Sequence, residues 1–279
     1  MTGRLVLVST PIGNLGDLPP RAVEALRAAT LICCEDTRRT GRLLQHAGVT
    51  GVRMAVANEH TEAARTGQVL DVLGAGDDVA LVTDAGTPGI SDPGWRLVTA
   101  VVDAGFEVTA VPGPVALVMA LVVSGLDTTR FAFEGFLPRS GRERTTRLGE
   151  VAAERRTTVL YEAPHRVART VADLAAICGG DRRVVLAREL TKLHEEIWRG
   201  TLDGSVAHLG ATPPRGEYVV VLAGAATVEP AEVTEDQIRE ALRTALADGA
   251  DRRAAIATVV TELGVPKRRA YDVALTLPR

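Results

Sequence analysis

Three short segments carry residue types that could hold a small molecule and act on it. The first, TPIGNLGD from Thr10 to Asp17, directly follows an apolar run. The second, Thr83 to Gly94, packs three glycines, two prolines and two aspartates into twelve residues, so it can be neither helix nor strand. A loop of that composition exposes many backbone amides and carbonyls to a ligand. The third, VPGPVA from Val111 to Ala116, opens an apolar helix whose first amides would face the same ligand. Polar groups able to exchange a proton lie in CCEDTRR (Glu35, Asp36), ANEHTE (Glu59, His60) and RELTK (Glu189, Lys192). The first loop has the wrong glycine spacing for a dinucleotide fingerprint and lacks a P-loop lysine, which disfavours nicotinamide chemistry. No metal is expected, because no cluster has ligand spacing and Asp84 with Asp92 is too loose a pair.

The elements around these loops decide whether they can meet. Arg4–Ser9, 31–34, 52–57, 79–83 and 108–111 read as strands, with helical stretches at 19–29, 37–47, 61–74 and 94–104 between them. Continuous apolar strands alternating with helices predict a mostly parallel sheet covered on both faces, with its working edge at the strand C-termini. From residue 128 the rhythm changes. Strands at 128–137, 157–162, 183–187, 195–201 and 217–223 can neighbour without helical crossovers, which predicts a mixed sheet. Helices alone follow, at 237–248, 252–263 and 267–275, with Gly264 and Pro266 spaced as in a helix-turn-helix. The fold class is therefore α/β: a parallel-rich domain over 1–125, a mixed-sheet domain over 126–228 closing a cleft, and a small helical domain over 229–279.

Composition narrows the class of protein. With 46% hydrophobic residues the 279-residue chain can bury a sizeable core, and 3% aromatics leaves too few rings for a base-stacking platform. A net charge of -3 argues against a nucleic-acid binder held by overall charge. Yet Pro138 to Arg156 holds six arginines against three glutamates, a local +3. Three cysteines without disulfide or zinc spacing, an N-terminus without signal-peptide character and no apolar run of spanning length lead us to expect a cytoplasmic protein with no membrane association.

The segments PIGNLGD, DAGTPGISDPG, VPGP, FEGFLPR, YEAPHR and ARELTKLHEE occur in this order over about residues 4–224. Together they resemble the family of small-subunit ribosomal RNA methyltransferases I, which has the fold of the tetrapyrrole methylases. Tyr161-Glu162-Ala163 differs from the pattern in having Ala where Ser is expected. The resemblance implies S-adenosylmethionine as cofactor, held between two α/β domains. Pro11 and Gly13 would border it. Asp84, Ala85, Gly86, Ile90 and Ser91 would contact it from the second loop, and Pro114, Val115 and Ala116 from the third. Phe133, Tyr161, Leu190 and Ala223 would close over it. A homodimer, and a cytidine ribose of 16S ribosomal RNA or the assembled small subunit as target, are implied as well.

Methyl transfer to a ribose hydroxyl needs an acceptor for the departing proton. Asp36 or His60 is expected in that role, beside Arg38 and Arg39 holding a flanking phosphate. Arg139, Arg142, Arg144 and Arg147 are expected to follow RNA backbone, with Lys192, Lys267, Arg268 and Arg269 contributing. Two other readings share these features: a small-molecule methylase of the same fold, and a helix-turn-helix regulator sensing a ligand. The tail argues against the second, since from residue 229 its eight basic residues are outnumbered by nine acidic ones.

Overall fold

The computed structural model describes residues 2–58, 61–226 and 233–277. Five parallel strands, β1 (Arg4–Val8), β2 (Leu31–Cys34), β3 (Arg53–Val56), β4 (Val79–Leu81) and β5 (Glu107–Val111), form the first sheet in the order β3-β2-β4-β1-β5. Successive side chains on a strand point to opposite faces, and both faces are apolar here. Val6, Val8, Ile32 and Cys34 pack under α1 (Pro20–Ala28) and α2 (Thr37–His46) through Ala22, Leu26 and Leu44. Leu5, Leu31, Cys33 and Leu81 pack under α3 (Glu62–Gly74) and α4 (Trp95–Asp103) through Val69, Leu73, Leu97 and Val101. The two adjacent cysteines thus enter different cores, and burial pushes the Cys33 thiol up to about 12, which leaves it inert. Because the chain leaves β1 over one face and β4 over the other, a crevice opens between their C-terminal ends.

α5 (Ala116–Ser124) leaves the first sheet and packs on the second. That sheet comprises β6 (Phe131–Phe136), β7 (Thr157–Glu162), β8 (Arg183–Arg188), β9 (Glu196–Thr201) and β10 (Tyr218–Leu222). Its order is β6-β7-β10-β8-β9, with β6 and β7 parallel and the other pairs antiparallel. Val184, Leu186, Val220 and Leu222 face α6 (Gly141–Ala153), α7 (Pro164–Cys178) and α8 (Leu202–Ala211). Val185, Ala187, Val219 and Val221 face α5, and Ile12 from the loop after β1 reaches the same cluster. α8 gives little sequence signal, since Gly204 and Gly210 lower its helix propensity; the Thr201 cap and buried Leu202 and Leu209 hold it instead.

Both sheets belong to one compact unit ending at Ala225, and the tail from Ala226 is a second unit. In the tail, α9 (Glu235–Ala247), α10 (Arg252–Leu263) and α11 (Lys267–Leu275) enclose Ile238, Leu242, Ile256, Val259 and Val273. Thr234 and Gln237 form a capping box, and Gly264 ends α10 at φ 62°, a left-handed turn that a side chain would strain. Among the described residues no helix is long and apolar enough to cross a membrane.

One expectation of RNA contact fails on packing. Arg144 is 4% exposed, because its guanidinium is enclosed by its own hydrogen bonds. Nε and Nη2 donate to Asp173 Oδ2 at 3.0 and 2.7 Å, Nη1 to the Pro138 carbonyl at 3.0 Å, and Nη2 to Thr170 Oγ1 at 3.2 Å. Thr170 Oγ1 in turn donates to buried Glu162 at 2.7 Å. Arg144 is a tie between α6, α7 and the end of β6, its guanidinium engaged by these partners and not extended into solvent. Arg144→Ala should therefore cost about 1.5–3 kcal/mol in urea unfolding, the range for hydrogen bonds to charged groups.

Candidate active site

The crevice at the C-terminal edge of the first sheet is built by backbone pairing between two loops. Thr10 N donates to Gly86 O at 2.8 Å and Gly86 N returns a bond to Thr10 O at 3.1 Å. Ser9 Oγ and Thr87 Oγ1 lie 2.8 Å apart, and Thr10 Oγ1 donates to Thr83 O at 3.3 Å. The third loop closes against the first at Gly113, where a Cβ would fall 2.8 Å from Ser9 Cβ, so no larger residue fits without a shift. The second sheet faces this crevice, and between the sheets lies a cleft of about 390 Å³.

Ala85, Gly86, Ile90, Ser91, Val115, Ala116, Tyr161 and Leu190 share the lining of this cleft. Tyr161 is held by its hydroxyl, which accepts from Leu117 N at 3.1 Å, and by edge contacts to Phe133 and Phe136 at 5.0 and 5.7 Å. Phe133 and Ala223 belong to the apolar cluster behind the lining. Gly13 lies against Lys192, whose Cγ would be 2.3 Å from an added Cβ. Pro114 immediately precedes the lining residue Val115. Pro11 and Asp84 line an adjoining hollow of about 250 Å³ together with Arg39 and Arg42. Asp84 Oδ2 is 3.4 Å from Arg39, while Oδ1 is buried without a hydrogen-bond partner.

Several rim residues are backbone outliers. Ser91, Glu189 and Thr191 have φ of 60°, 50° and 67°, although none is glycine. Such conformations cost on the order of 1 kcal/mol each and persist where surrounding contacts impose them. Here Glu189 N donates to Glu217 O at 3.0 Å, and Glu189 Oε1 accepts from Glu217 N at 2.9 Å. Lys192 Nζ bridges Glu189 Oε1 and Glu217 Oε2, each at 2.8 Å.

Sequence reasoning missed Asp92 as a member of the site. It lines the cleft, and its carboxyl is pushed up to about 7, first by burial and then by the charges of Glu35, Asp84 and Glu217. Glu35 is also raised, by burial and by Asp84. The available signal was Asp92's place in the glycine-rich loop, but only the fold brings Glu217 from β10's approach toward it. Asp36, expected as proton acceptor, is a helix cap instead. Its Oδ1 accepts from Arg38 N at 2.8 Å and Nε at 3.1 Å, and its Oδ2 from Nη2 at 2.7 Å. Arg38 holds that carboxyl well below the usual range, so it is a poor base, and it does not line the cleft. His60 lies outside the described residues.

The remaining cations are scattered. Arg139 and Arg142 are exposed, Arg38 is exposed beside Asp36, and Arg147 pairs with Glu134 at 3.4 Å and Glu150 at 2.8 Å. Lys267 begins α11, while Arg268 and Arg269 line a hollow in the tail whose other charged residues are Arg239, Glu235 and Asp272. Among the described residues no group of His, Cys, Asp or Glu could hold a metal ion.

Known proteins share this architecture. The model of the Tetrapyrrole (Corrin/Porphyrin) Methylases matches residues 4–204, so the chain belongs to that family. Uroporphyrin-III C-methyl transferase from Thermus thermophilus, complexed with S-adenyl homocysteine, superposes with a TM-score of 0.57 at 19% identity over 79% of this chain and 97% of its own. Cobalt precorrin-4 methyltransferase does so with 0.57 at 17% identity over 79% and 94%. Sequence similarity is far higher to proteins named Ribosomal RNA small subunit methyltransferase I. That of Synechocystis sp. is 47% identical over 99% of this chain and 98% of its own length, and that of Mycobacterium tuberculosis (strain H37Rv) 46% over 81% and 79%.

The electrostatics of Asp92 can be measured directly. Side-chain carboxyl NMR should place its titration near 7, and Glu35→Gln or Glu217→Gln should each lower it by removing a like charge. A titration below about 5 in the unsubstituted protein, close to an ordinary aspartate, would contradict the described surroundings.

Proposed function

We propose that this chain is an S-adenosylmethionine-dependent methyltransferase that methylates a ribose 2′-hydroxyl, on a cytidine of 16S ribosomal RNA. The observation that carries the reading is the near full-length similarity to relatives named for small-subunit ribosomal RNA methylation. The cleft suits such a cofactor. Its apolar wall of Ile12, Ile90, Val115, Ala116 and Leu190 offers a slot for an adenine ring, and the loop backbones offer polar edges. Its charged lining, Asp92, Glu162, Glu189 and Glu217 against Lys192, favours a cation. When bound, the cofactor supplies an activated methyl group on a positively charged sulfur.

The protein's own work is alignment and proton handling. Holding two reactants in line can contribute roughly 7–11 kcal/mol, and the stitched loops provide a rigid frame for it. Asp92 is the proton acceptor in this reading, since a base poised near neutrality combines availability with strength. His60 is the alternative acceptor. Arg38, Arg39, Arg139, Arg142, Arg147 and Lys192 contact RNA phosphates, with Lys267, Arg268 and Arg269 contributing from the tail. The protein works in the cytoplasm, where its RNA is. It acts as a homodimer: α5 contains no charged residue, and its Val118, Met119, Val122 and Val123 are exposed, an unusual face for a monomer.

Labelled cofactor offered with purified small subunits, or with a precorrin-type substrate, separates the RNA reading from the small-molecule one; label is expected in the RNA ribose. Asp92→Asn should lower kcat by about 10²–10⁴-fold, the usual worth of a general base. In the parent enzyme kcat/KM, which follows the free enzyme's ionisations, should rise with pH and level off above about 7. Loss of turnover in His60→Gln with Asp92→Asn unaffected would transfer the role to His60. Val122→Glu should convert the dimer to monomer in sedimentation equilibrium.

A further inference from the structure

A second cavity, of about 280 Å³, adjoins the cleft at the turn from β7 into α7. Glu162, Ala163 and Pro164 line the cleft, and the next residues, His165 and Arg166, line this cavity. Arg139, Arg144, Arg169 and Thr170 complete it. Two arginines are fixed in place. Arg144 is tied to Asp173 and Thr170, and Arg166 Nε lies 3.2 Å from Glu162 Oε1. The other cations stand toward solvent. His165 and Arg139 are exposed, and among the described residues no carboxylate lies within ion-pair distance of Arg139. Arg169 is 64% exposed, donates to the Arg139 carbonyl at 3.4 Å, and is only loosely paired with Asp173 at 3.8 Å. Four arginines thus face two carboxylates, and the surplus positive charge sits at the open side.

We infer that this cavity seats one phosphate of the RNA backbone, the one next to the ribose presented at the cleft, with Arg139 and Arg169 as its ligands and His165 at its edge. The inference rests on the RNA reading above. Guanidinium forks match phosphate oxygens in pairs, which gives position as well as charge. The fixed arginines set the local potential without being consumed, and the amino end of the 15-residue helix α7 adds to it. Consecutive Cα atoms are about 3.8 Å apart, so a ligand spanning Pro164 and His165 touches both cavities. A ribose at the cleft mouth and an adjacent phosphate in this cavity are then held by one strand-to-helix turn.

The test uses the full-length enzyme with small ribosomal subunits as substrate. Arg139→Ala/Arg169→Ala should raise KM for the subunits by about ten-fold or more and reduce the log–log salt slope by about 1. Its kcat at saturation, its melting temperature and its affinity for S-adenosylhomocysteine should stay near those of the parent. The lysine pair, Arg139→Lys/Arg169→Lys, should recover the salt slope but only part of KM, since a point charge lacks the fork. A parent enzyme active on subunits together with an alanine pair of unchanged KM and slope would overturn the phosphate seat alone. A parent that methylates no small-subunit RNA would overturn the function and the seat together. Should the alanine pair lose its fold, Arg139→Glu, at an exposed position, gives the same reading through KM.

Discussion

The backbone pairing of Thr10 with Gly86 is the constraint on which the site depends. In a parallel sheet, loops after neighbouring strands drift apart when their crossovers cover opposite faces, and the gap between them is a natural ligand crevice. Here the loops after β1 and β4 are drawn back together by two main-chain hydrogen bonds and by the Ser9–Thr87 hydroxyl contact. The crevice therefore has a defined floor. Ile12, two residues beyond the bridge, enters the core of the second sheet, so the same short segment couples both walls of the cleft.

Charge is distributed with opposite sign on the two sides of the β7–α7 turn. The cleft holds more carboxylates than cations, and that crowding, added to burial, keeps the Asp92 proton near neutrality. The neighbouring cavity holds more arginines than carboxylates. Glu162 stands between them, buried and tied to Thr170 and Arg166. It keeps the arginines ordered without exposing a negative charge to the cavity mouth. The two adjoining surfaces therefore favour ligand groups of opposite charge.

The strained residues fall on the same rim. Ser91, Glu189 and Thr191 adopt left-handed backbone although glycine would do so at lower cost. At Glu189 the reason is visible: its carboxylate must turn to receive both the Glu217 amide and Lys192. Side-chain chemistry there outweighs conformational ease, which is the usual pattern where a site and not the core dictates the backbone.

Local patterning determined most of the elements. Apolar strands alternating with helices indicated the parallel sheet, and the change of rhythm after residue 128 indicated a mixed one, because period and polarity are properties of neighbouring residues. The loop 83–94 announced itself by composition, and Ala85, Gly86, Ile90 and Ser91 do line the cleft. Tertiary structure decided what depends on partners distant in the chain. Asp36 and Asp92 look alike in sequence, yet Arg38 keeps one ionised while burial near Glu35, Asp84 and Glu217 holds the other's proton. Arg139 and Arg144 sit five residues apart in one basic run, but α7 swallows the second and leaves the first in solvent. Proton affinity and exposure are set by the dielectric and charge that folding assembles around a group, and no spacing along the chain encodes them.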